Sequence, residues 1–587
     1  MIRLAPFVAA AVALLLVACT SPEAPEATPT TTTEASEPPA IATPAGIPVV
    51  VDVADSEGRE RIEGAVTASG ELTIVPNRAT AAATLVISDA PLEGGTPIVL
   101  ARWAAITDQR RDVLELTRSE VISILRGDIT DWSELGGSPL PITPLLLTSQ
   151  AIGIAMALGI PETELAASRV PDDDLLDRVE REPGTLALVE PEQLRLGVLA
   201  LVVDGHDPYR DPAADSPLRD ARWIVAPPEE VATLAALAGF EAAPPFDPAG
   251  MLATGELIPA RCSYEALIAA GGMDAMFEGT ADAIRAADIA VSPLEVSLTD
   301  LSPATPCTPT FILQGPAEAA DAMARVGIDV AVTAGNHAMD CWAGCSPAAA
   351  LLDTIANLER VGLVTTGAGA NLAEARAPAL FTVDTTTGPV TFAFVAYDSI
   401  AAAFYAAGPD FAGTAPLETA FVREDVAIAL ELADHVIVGA GWGVEYTSDP
   451  IDFQRENAGA AIEAGASVVL GNHPHWVQAV EHFLASQRTS EAPGISGTTE
   501  VSDALVAYSF GNFVFDQDWS VETTHGMAMD LGFTVDRLIG YRIRPILIRG
   551  DPTLTRGLYR PEFVDPATEG APILKRIWDA QDRLPPR

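Results

Sequence analysis

Positive charge is what this sequence most lacks. Only 34 Lys and Arg stand against 81 Asp and Glu, giving a formal charge of −47 over 587 residues. Nucleic acid and anionic lipid headgroups are therefore poor partners, because a phosphate lattice needs basic counter-charge. Long hydrophobic runs are also scarce. After the N-terminal leader, no apolar stretch reaches transmembrane length without Pro, Gly or charge. Cysteine is limited to five residues, and Cys341-Trp-Ala-Gly-Cys345 has no partner pair at ribbon spacing, which argues against a structural zinc cluster. Histidine is limited to seven, so any clustering of imidazoles carries weight.

The N-terminus has the features of an export signal. Arg3 precedes an apolar run that ends in Leu16-Val17-Ala18-Cys19, a lipobox in which Cys19 would take the lipid and become the new N-terminus. The expected location is extracytoplasmic, held at the membrane through this anchor. Residues 20–45, rich in Pro, Thr, Ala, Glu and Ser, read as a disordered tether. The remaining 540 or so residues exceed one ordinary core, and a Pro/Ala-rich passage from Ala226 to Pro248 divides them. The expected units are residues 46–235, residues 246–550 and a C-terminal extension, 551–587.

In an oxidising compartment Cys262, Cys307, Cys341 and Cys345 form an even set with three possible pairings. We favour Cys262 with Cys307 and Cys341 with Cys345, since each would cross-link loops at neighbouring strand ends.

In the first unit, short β-like runs (Ile47–Val53, Ala83–Ser88, Pro97–Ala101) alternate with helical patterns, which points to α/β organisation. Thr117 and Glu120 form a capping box, Gly127 would end that helix, and a turn carrying Trp132 follows. This passage and the later Pro183-Gly184-Thr185-Leu186-Ala187-Leu188-Val189 resemble segments of periplasmic phosphate-binding proteins. That family places an arginine and Ser-Gly-Thr at a helix N-terminus to hold the anion. Here the region reads Leu147-Thr148-Ser149-Gln150-Ala151, so Thr148 and Ser149 are read as an N-cap rather than an anion site.

The second unit also alternates buried β-type runs with helical patterns, and polar clusters follow the runs: Gly255-Glu256, Leu294-Glu295, Gly335-Asn336-His337-Ala338-Met339-Asp340, Gly441-Trp442-Gly443-Val444-Glu445-Tyr446, Gly471-Asn472-His473-Pro474-His475 and Tyr508-Ser509-Phe510-Gly511-Asn512-Phe513. Carboxylate, amide oxygen and imidazole at strand ends suit a divalent metal, and metals so placed activate water and polarise phosphate. His473 and His475, flanking a proline, are the best candidates. His206, His435 and His482 are read as ordinary histidines.

Four of these motifs, in order, resemble those of the capsule-synthesis (CapA) family, whose fold is the calcineurin-like metallophosphatase sandwich of four α/β/β/α layers. The resemblance implies metal ligation by Glu256, Glu295, Asn336, His473 and His475. It makes His337 the catalytic imidazole with Asp340 orienting it, and gives supporting places to Arg261, Glu445 and Asn512. It implies one or two ions of Mn, Zn or Fe, an anionic polymer or phosphate-containing small molecule as ligand, and other capsule-synthesis proteins as partners. Family histidines are replaced at Gly441 and Asn472, and Pro293 stands where the family has asparagine. The second ion is therefore expected to bind weakly or not at all.

Overall fold

The computed structural model describes residues 47–52, 56–74, 85–88, 93–171, 174–226, 228–484, 503–549 and 558–585. Cys19 and the tether lie outside these residues. Among the described residues, no helix is long and apolar enough to cross a membrane.

The architecture is mixed α/β throughout. In the C-terminal region, strands Ala249–Ala253, Ile289–Pro293, Val330–Val332 and Val364–Thr366 run parallel as half of a seven-stranded sheet. The other half is an antiparallel ribbon of His525–Phe533, Leu538–Arg549 and Arg560–Phe563. A second sheet of six strands has Gly388–Asp398, His435–Gly441, Val468–Asn472 and Ala504–Ala507 in parallel at its centre, with an antiparallel strand on each edge. Strands buried on both faces read as continuous apolar runs, which is why the runs in the sequence mark them so well.

Packing sets the layers. Met251, Val291 and Val332 of the first sheet meet Phe392, Phe394 and Ile437 of the second in one core. Helices carrying Leu267 and Met323 cover the outer face of the first sheet, and those carrying Val426 and Ile462 cover the outer face of the second. This is a four-layer α/β/β/α sandwich, the layering that the resemblance implied. The polar motifs sit just past the C-terminal ends of its parallel strands, where backbone groups leave the ladder and side chains can converge. The structure joins Cys262 to Cys307 and Cys341 to Cys345. Beyond residue 551, Arg560–Phe563 forms an edge of the seven-stranded sheet, and Ile573, Leu574 and Ile577 of the last helix enter the inter-sheet core.

The N-terminal region has two five-stranded sheets. Its capping box is present: Thr117 Oγ1 accepts from the Glu120 N–H (3.1 Å), Glu120 accepts from the Thr117 N–H (2.7 Å), and Gly127 closes the helix with φ 79°. Trp132 is fully buried and its indole N–H donates to the Gly184 carbonyl (3.2 Å), tying together the two segments that carried the resemblance. The N-cap expected of Thr148 and Ser149 is not formed. The helix starts at Ala151, with Gln150 at the cap position and no side-chain cap bond, and Thr148 Oγ1 instead donates to the Val170 carbonyl (3.4 Å).

The two regions meet through a buried ion pair. Arg542 makes two hydrogen bonds to Asp207 (2.7 and 3.0 Å) and one to the Ala200 carbonyl (2.9 Å). Burial opposes the charge on Asp207, but the guanidinium prevails and lowers its pKa from 3.8 to about 2. Because the folded value lies below the unfolded one, the pair's stabilisation is complete above about pH 4 and is lost as pH falls through about 2. Asp207→Asn should cost about 1–3 kcal/mol in a urea unfolding curve at neutral pH, because the buried Arg542 loses its two-bond partner and keeps only the carboxylate of Asp530 (3.1 Å). The gap from wild type should shrink as pH falls through the same window.

Candidate metal centre

Each polar cluster is carried by a different strand end. Glu256 follows Ala249–Ala253, Glu295 follows Ile289–Pro293, and Asn336 and His337 follow Val330–Val332. Asn472 ends Val468–Asn472, with His473 and His475 directly after it. The two histidines have left-handed backbones, φ 92° and 59°, as does Tyr446 at 61°. Such conformations cost non-glycine residues of the order of 1–3 kcal/mol each and survive where surrounding contacts over-determine them.

Those contacts settle which ring nitrogen faces where. His475 Nδ1 lies 2.6 Å from Glu256 Oε2 and 2.9 Å from Asn512 Oδ1. His473 Nδ1 lies 3.1 Å from Asn336 Oδ1, and its backbone N–H donates to Glu256 Oε1 (2.5 Å). With oxygen acceptors on both Nδ1 atoms, each ring keeps Nε2 for a ligand. Glu445, His473 and His475 each offer an atom within 4.8 Å of the others, a group that could hold one cation. Glu445, placed in a supporting role by the family pattern, thus stands among the candidate ligands. Glu256 and Asn336 face the Nδ1 atoms in the arrangement that orients ligating imidazoles.

The charges follow from burial. Burial, helped by the neighbouring His475, lowers the pKa of His473 to about 4, so its imidazole is neutral at neutral pH and can donate a lone pair. Burial works against His475 too, but the carboxylate of Glu256 outweighs it and raises that pKa. Burial also opposes the charge on Glu256, and the two imidazoles more than offset it.

Glu295 is different. Burial first, then the charges of Glu256 and Asp398, push its carboxyl well above the ordinary range. Its Oε1 accepts from Asn472 Nδ2 (2.6 Å), while Glu295 Oε2 and Asn472 Oδ1 are buried with no hydrogen-bond partner among the described residues. Two buried oxygens without donors fit a cation. A Cβ at position 335 would lie 2.6 Å from the Glu295 carboxylate, so Gly335 is what lets this carboxylate sit beside the Asn336-His337 turn.

Asp398, which the motifs did not flag, is fully buried at the end of its strand and accepts from the Ile400 and Ala401 N–H groups (2.9 and 3.1 Å). Burial raises its pKa. Its only sequence signal is an acid closing a long apolar strand. A Cβ at Gly441 would come within 3.4 Å of Asp398 Oδ1, so the position where the family has histidine borders this acid. His337 Nδ1 lies 2.7 Å from Asp340 Oδ2, which also accepts from the Leu313 N–H (2.6 Å). Arg261 pairs with Asp516 and lies over the Phe515 ring (4.8 Å), and Phe515 in turn lies 5.6 Å from the His475 ring. Arg261 therefore acts on the site through packing.

Residues 250–517 match the family model "Bacterial capsule synthesis protein PGA_cap". This part of the chain, called the capsule-synthesis domain below, is similar to that family. Its curated relatives include "PGA biosynthesis protein CapA" of Bacillus subtilis (strain 168), 28% identical over 249 residues, which are 42% of this chain and 59% of that protein. "Capsule biosynthesis protein CapA" of Bacillus anthracis is 34% identical over 88 residues, 15% of this chain and 17% of that protein. The chain thus spans under two thirds of the length of either. Among solved structures, the calcineurin-like phosphoesterase YfkN of Bacillus subtilis is 10% identical with TM-score 0.29, covering 51% of this chain and 90% of that one. A phosphate ABC transporter substrate-binding protein of Clostridium perfringens is 18% identical with TM-score 0.19, covering 33% and 92%. The fold of the capsule-synthesis domain rests on the sheet order and layers described above.

Within the capsule-synthesis domain, Glu256→Gln keeps the shape but removes the charge beside His475 Nδ1. Retention of a bound divalent ion against a competing chelator should weaken by about 10–100-fold.

Proposed function

We propose that this protein is a membrane-anchored lipoprotein of the cell envelope that works in capsule or poly-γ-glutamate synthesis or export. In this reading its capsule-synthesis domain is a metal-dependent hydrolase of the phosphoesterase type. The observation that carries the proposal is the convergence of Glu445, His473 and His475 at the strand ends, with the His337–Asp340 pair on the neighbouring turn. A divalent ion of Mn, Zn or Fe held there would supply a Lewis acid and lower the pKa of water.

The chain's own residues have separate tasks. His473, His475 and Glu445 hold the ion; Glu256, Asn336 and Asn512 fix the two rings. Asp340 engages His337 Nδ1, which leaves Nε2 to pass a proton to a leaving oxygen. With a formal charge of −47, the surface at large repels an anionic polymer or a phosphate-containing small molecule, so the substrate engages where a bound cation offsets that field. Glu295 with Asn472 and Asp398 would offer a second, oxygen-rich position, weakened because Gly441 supplies no side chain. The N-terminal region, lacking the arginine and Ser-Gly-Thr of phosphate receptors, serves as a supporting module.

A second reading has a specific observation in its favour. Asn472 already donates to Glu295 (2.6 Å), as in a site that has traded metal binding for a structural role. The protein would then be a non-catalytic module that binds polymer, ligand or partner.

Metal content separates the readings. The soluble form from Gly46 onward should hold about one ion per chain by elemental analysis. His473→Ala and His475→Ala should each lose that ion together with manganese-dependent hydrolysis of an aryl phosphate. No ion in wild type, with no effect of either variant, would leave the binding module as the better account. The anchor has its own check, since Cys19→Ala should move the full chain from the membrane to the soluble fraction.

A further inference from the structure

Apolar surface is unevenly distributed over the capsule-synthesis domain. Among the described residues, the strongly exposed Phe and Trp side chains are Phe311 (91%), Phe404 (87%), Phe411 (61%), Phe453 (41%) and Trp519 (59%). Each follows the C-terminal end of a strand that leads into the metal centre or its supporting residues: Ile289–Pro293, Gly388–Asp398, His435–Gly441 or Asn512–Val514. Leu432, exposed before the opposite end of His435–Gly441, is aliphatic. Single exposed apolar residues are ordinary, but five aromatic ones confined to the edge that holds the centre mark a contact surface.

Three of these side chains are tied to the centre through short chains of contacts. The Trp519 ring stands edge-on to Tyr446 (centroids 6.0 Å apart), and Tyr446 stacks on His475. Gln517, two residues before Trp519, donates to the Tyr446 hydroxyl (3.2 Å) and accepts from Asn512 (3.2 Å), the residue beside His475 Nδ1. The Phe404 N–H donates to the Ala401 carbonyl (2.8 Å), and the Ala401 N–H donates to Asp398. Phe311 lies between Thr310, whose carbonyl accepts from Arg261 (2.8 Å), and Leu313, whose N–H donates to Asp340. Aromatic side chains displayed on segments pinned in this way are preorganised for contact, since little further ordering is needed when an apolar group meets them.

The centre and this edge ask two things of one molecule. An ion with His337 beside it takes an oxyanion, while exposed Phe and Trp take an apolar group. A polyanion gains nothing from the aromatic side chains and meets the repulsion of a chain with formal charge −47. A wholly apolar molecule leaves the ion and the imidazole unused. A second protein seated on all of these loops would cover the centre itself. We propose that the substrate is an amphiphilic phosphate ester, its oxyanion head at the metal centre and its apolar chain against the aromatic edge, with Trp519 as the principal contact. The proposal deepens the phosphoesterase reading above and rests on it. Trp519 holds this place because its ring reaches His475 through the single intervening ring of Tyr446.

The test uses the full chain carrying Cys19→Ala, free of detergent and supplied with manganese, titrated calorimetrically with two phosphonates that resist hydrolysis. Octylphosphonate should bind at least about tenfold tighter than methylphosphonate, since each methylene taken from water adds to affinity. Trp519→Ser should narrow that ratio to about threefold or less, whereas Leu432→Ser should leave it as in the parent. Both residues are exposed, so neither replacement opens the core. The proposal is overturned if octylphosphonate does not bind, if the ratio in the parent is near one, or if Trp519→Ser leaves it unchanged. Trp519-dependent binding to neutral phosphatidylcholine vesicles, with no preference for the octyl probe, would overturn it too and make this edge a bilayer contact. Failure of the metal reading has a different signature: equal octylphosphonate affinity in the parent and in His473→Ala, with the loss on Trp519→Ser still present.

Discussion

The site depends on one constraint: two carboxylates, Glu256 and Glu295, are buried at 0% and 1% exposure at the ends of neighbouring parallel strands. Taking a carboxylate out of water costs several kcal/mol unless donors or cations surround it. Glu256 Oε1 accepts from the backbone N–H of His473 and the ring of His475 lies beside its Oε2, which has no hydrogen-bond partner among the described residues. Glu295 is compensated only in part, by one amide, with Asp398 adding to the repulsion. The different treatment of these two acids organises much of the surrounding geometry.

That compensation needs the His473-Pro474-His475 turn to bring a backbone N–H and two imidazoles to the same place. Two left-handed residues close together are the consequence, and the sandwich supplies the rigidity that holds them. The Tyr446 N–H donates to the Pro474 carbonyl (2.9 Å), and the Tyr446 ring stacks on His475 with centroids 5.9 Å apart. The loop that carries Glu445 is therefore fastened to the histidine turn. Backbone bonding thus brings the Glu445 carboxylate to 4.0 Å from His475 Nε2.

Much of this was legible in the sequence because strands buried on both faces leave unbroken apolar runs, and the residues that follow them are polar for a reason. The run ending at Leu470 and the motif Asn472 to His475 placed both strand and site. Roles were less legible than positions. Whether Glu256 or Glu445 reaches an ion depends on χ angles and on which imidazole nitrogen is already engaged, neither of which spacing records. Asp398 escaped notice because a single acid after Val395-Ala396-Tyr397 resembles an ordinary strand end. Thr148 and Ser149 had the chemistry of a cap, but the Thr148 hydroxyl is drawn to the Val170 carbonyl on a neighbouring strand. The tail beyond residue 551 looked peripheral since its apolar positions, Ile573, Leu574 and Ile577, acquire a core only through the tertiary fold.

Apart from Glu256, which stands where the family pattern has aspartate, the substitutions relative to that pattern fall on one side of the centre. Gly441 removes an imidazole, Asn472 fills part of the space beside Glu295 with an amide, and Pro293 removes an amide from the preceding strand end. The other side keeps both imidazoles, their acceptors and an adjacent carboxylate. Loss of function by drift would be expected to erode both sides, since neither His473 nor His475 is needed to pack a core and both sit on strained backbone. The costly half is the one on which the proposed ion would sit. On the other side Glu295 and Asp398 are buried carboxyls whose charge burial itself disfavours, Glu295 the more so because Glu256 and Asp398 lie near it.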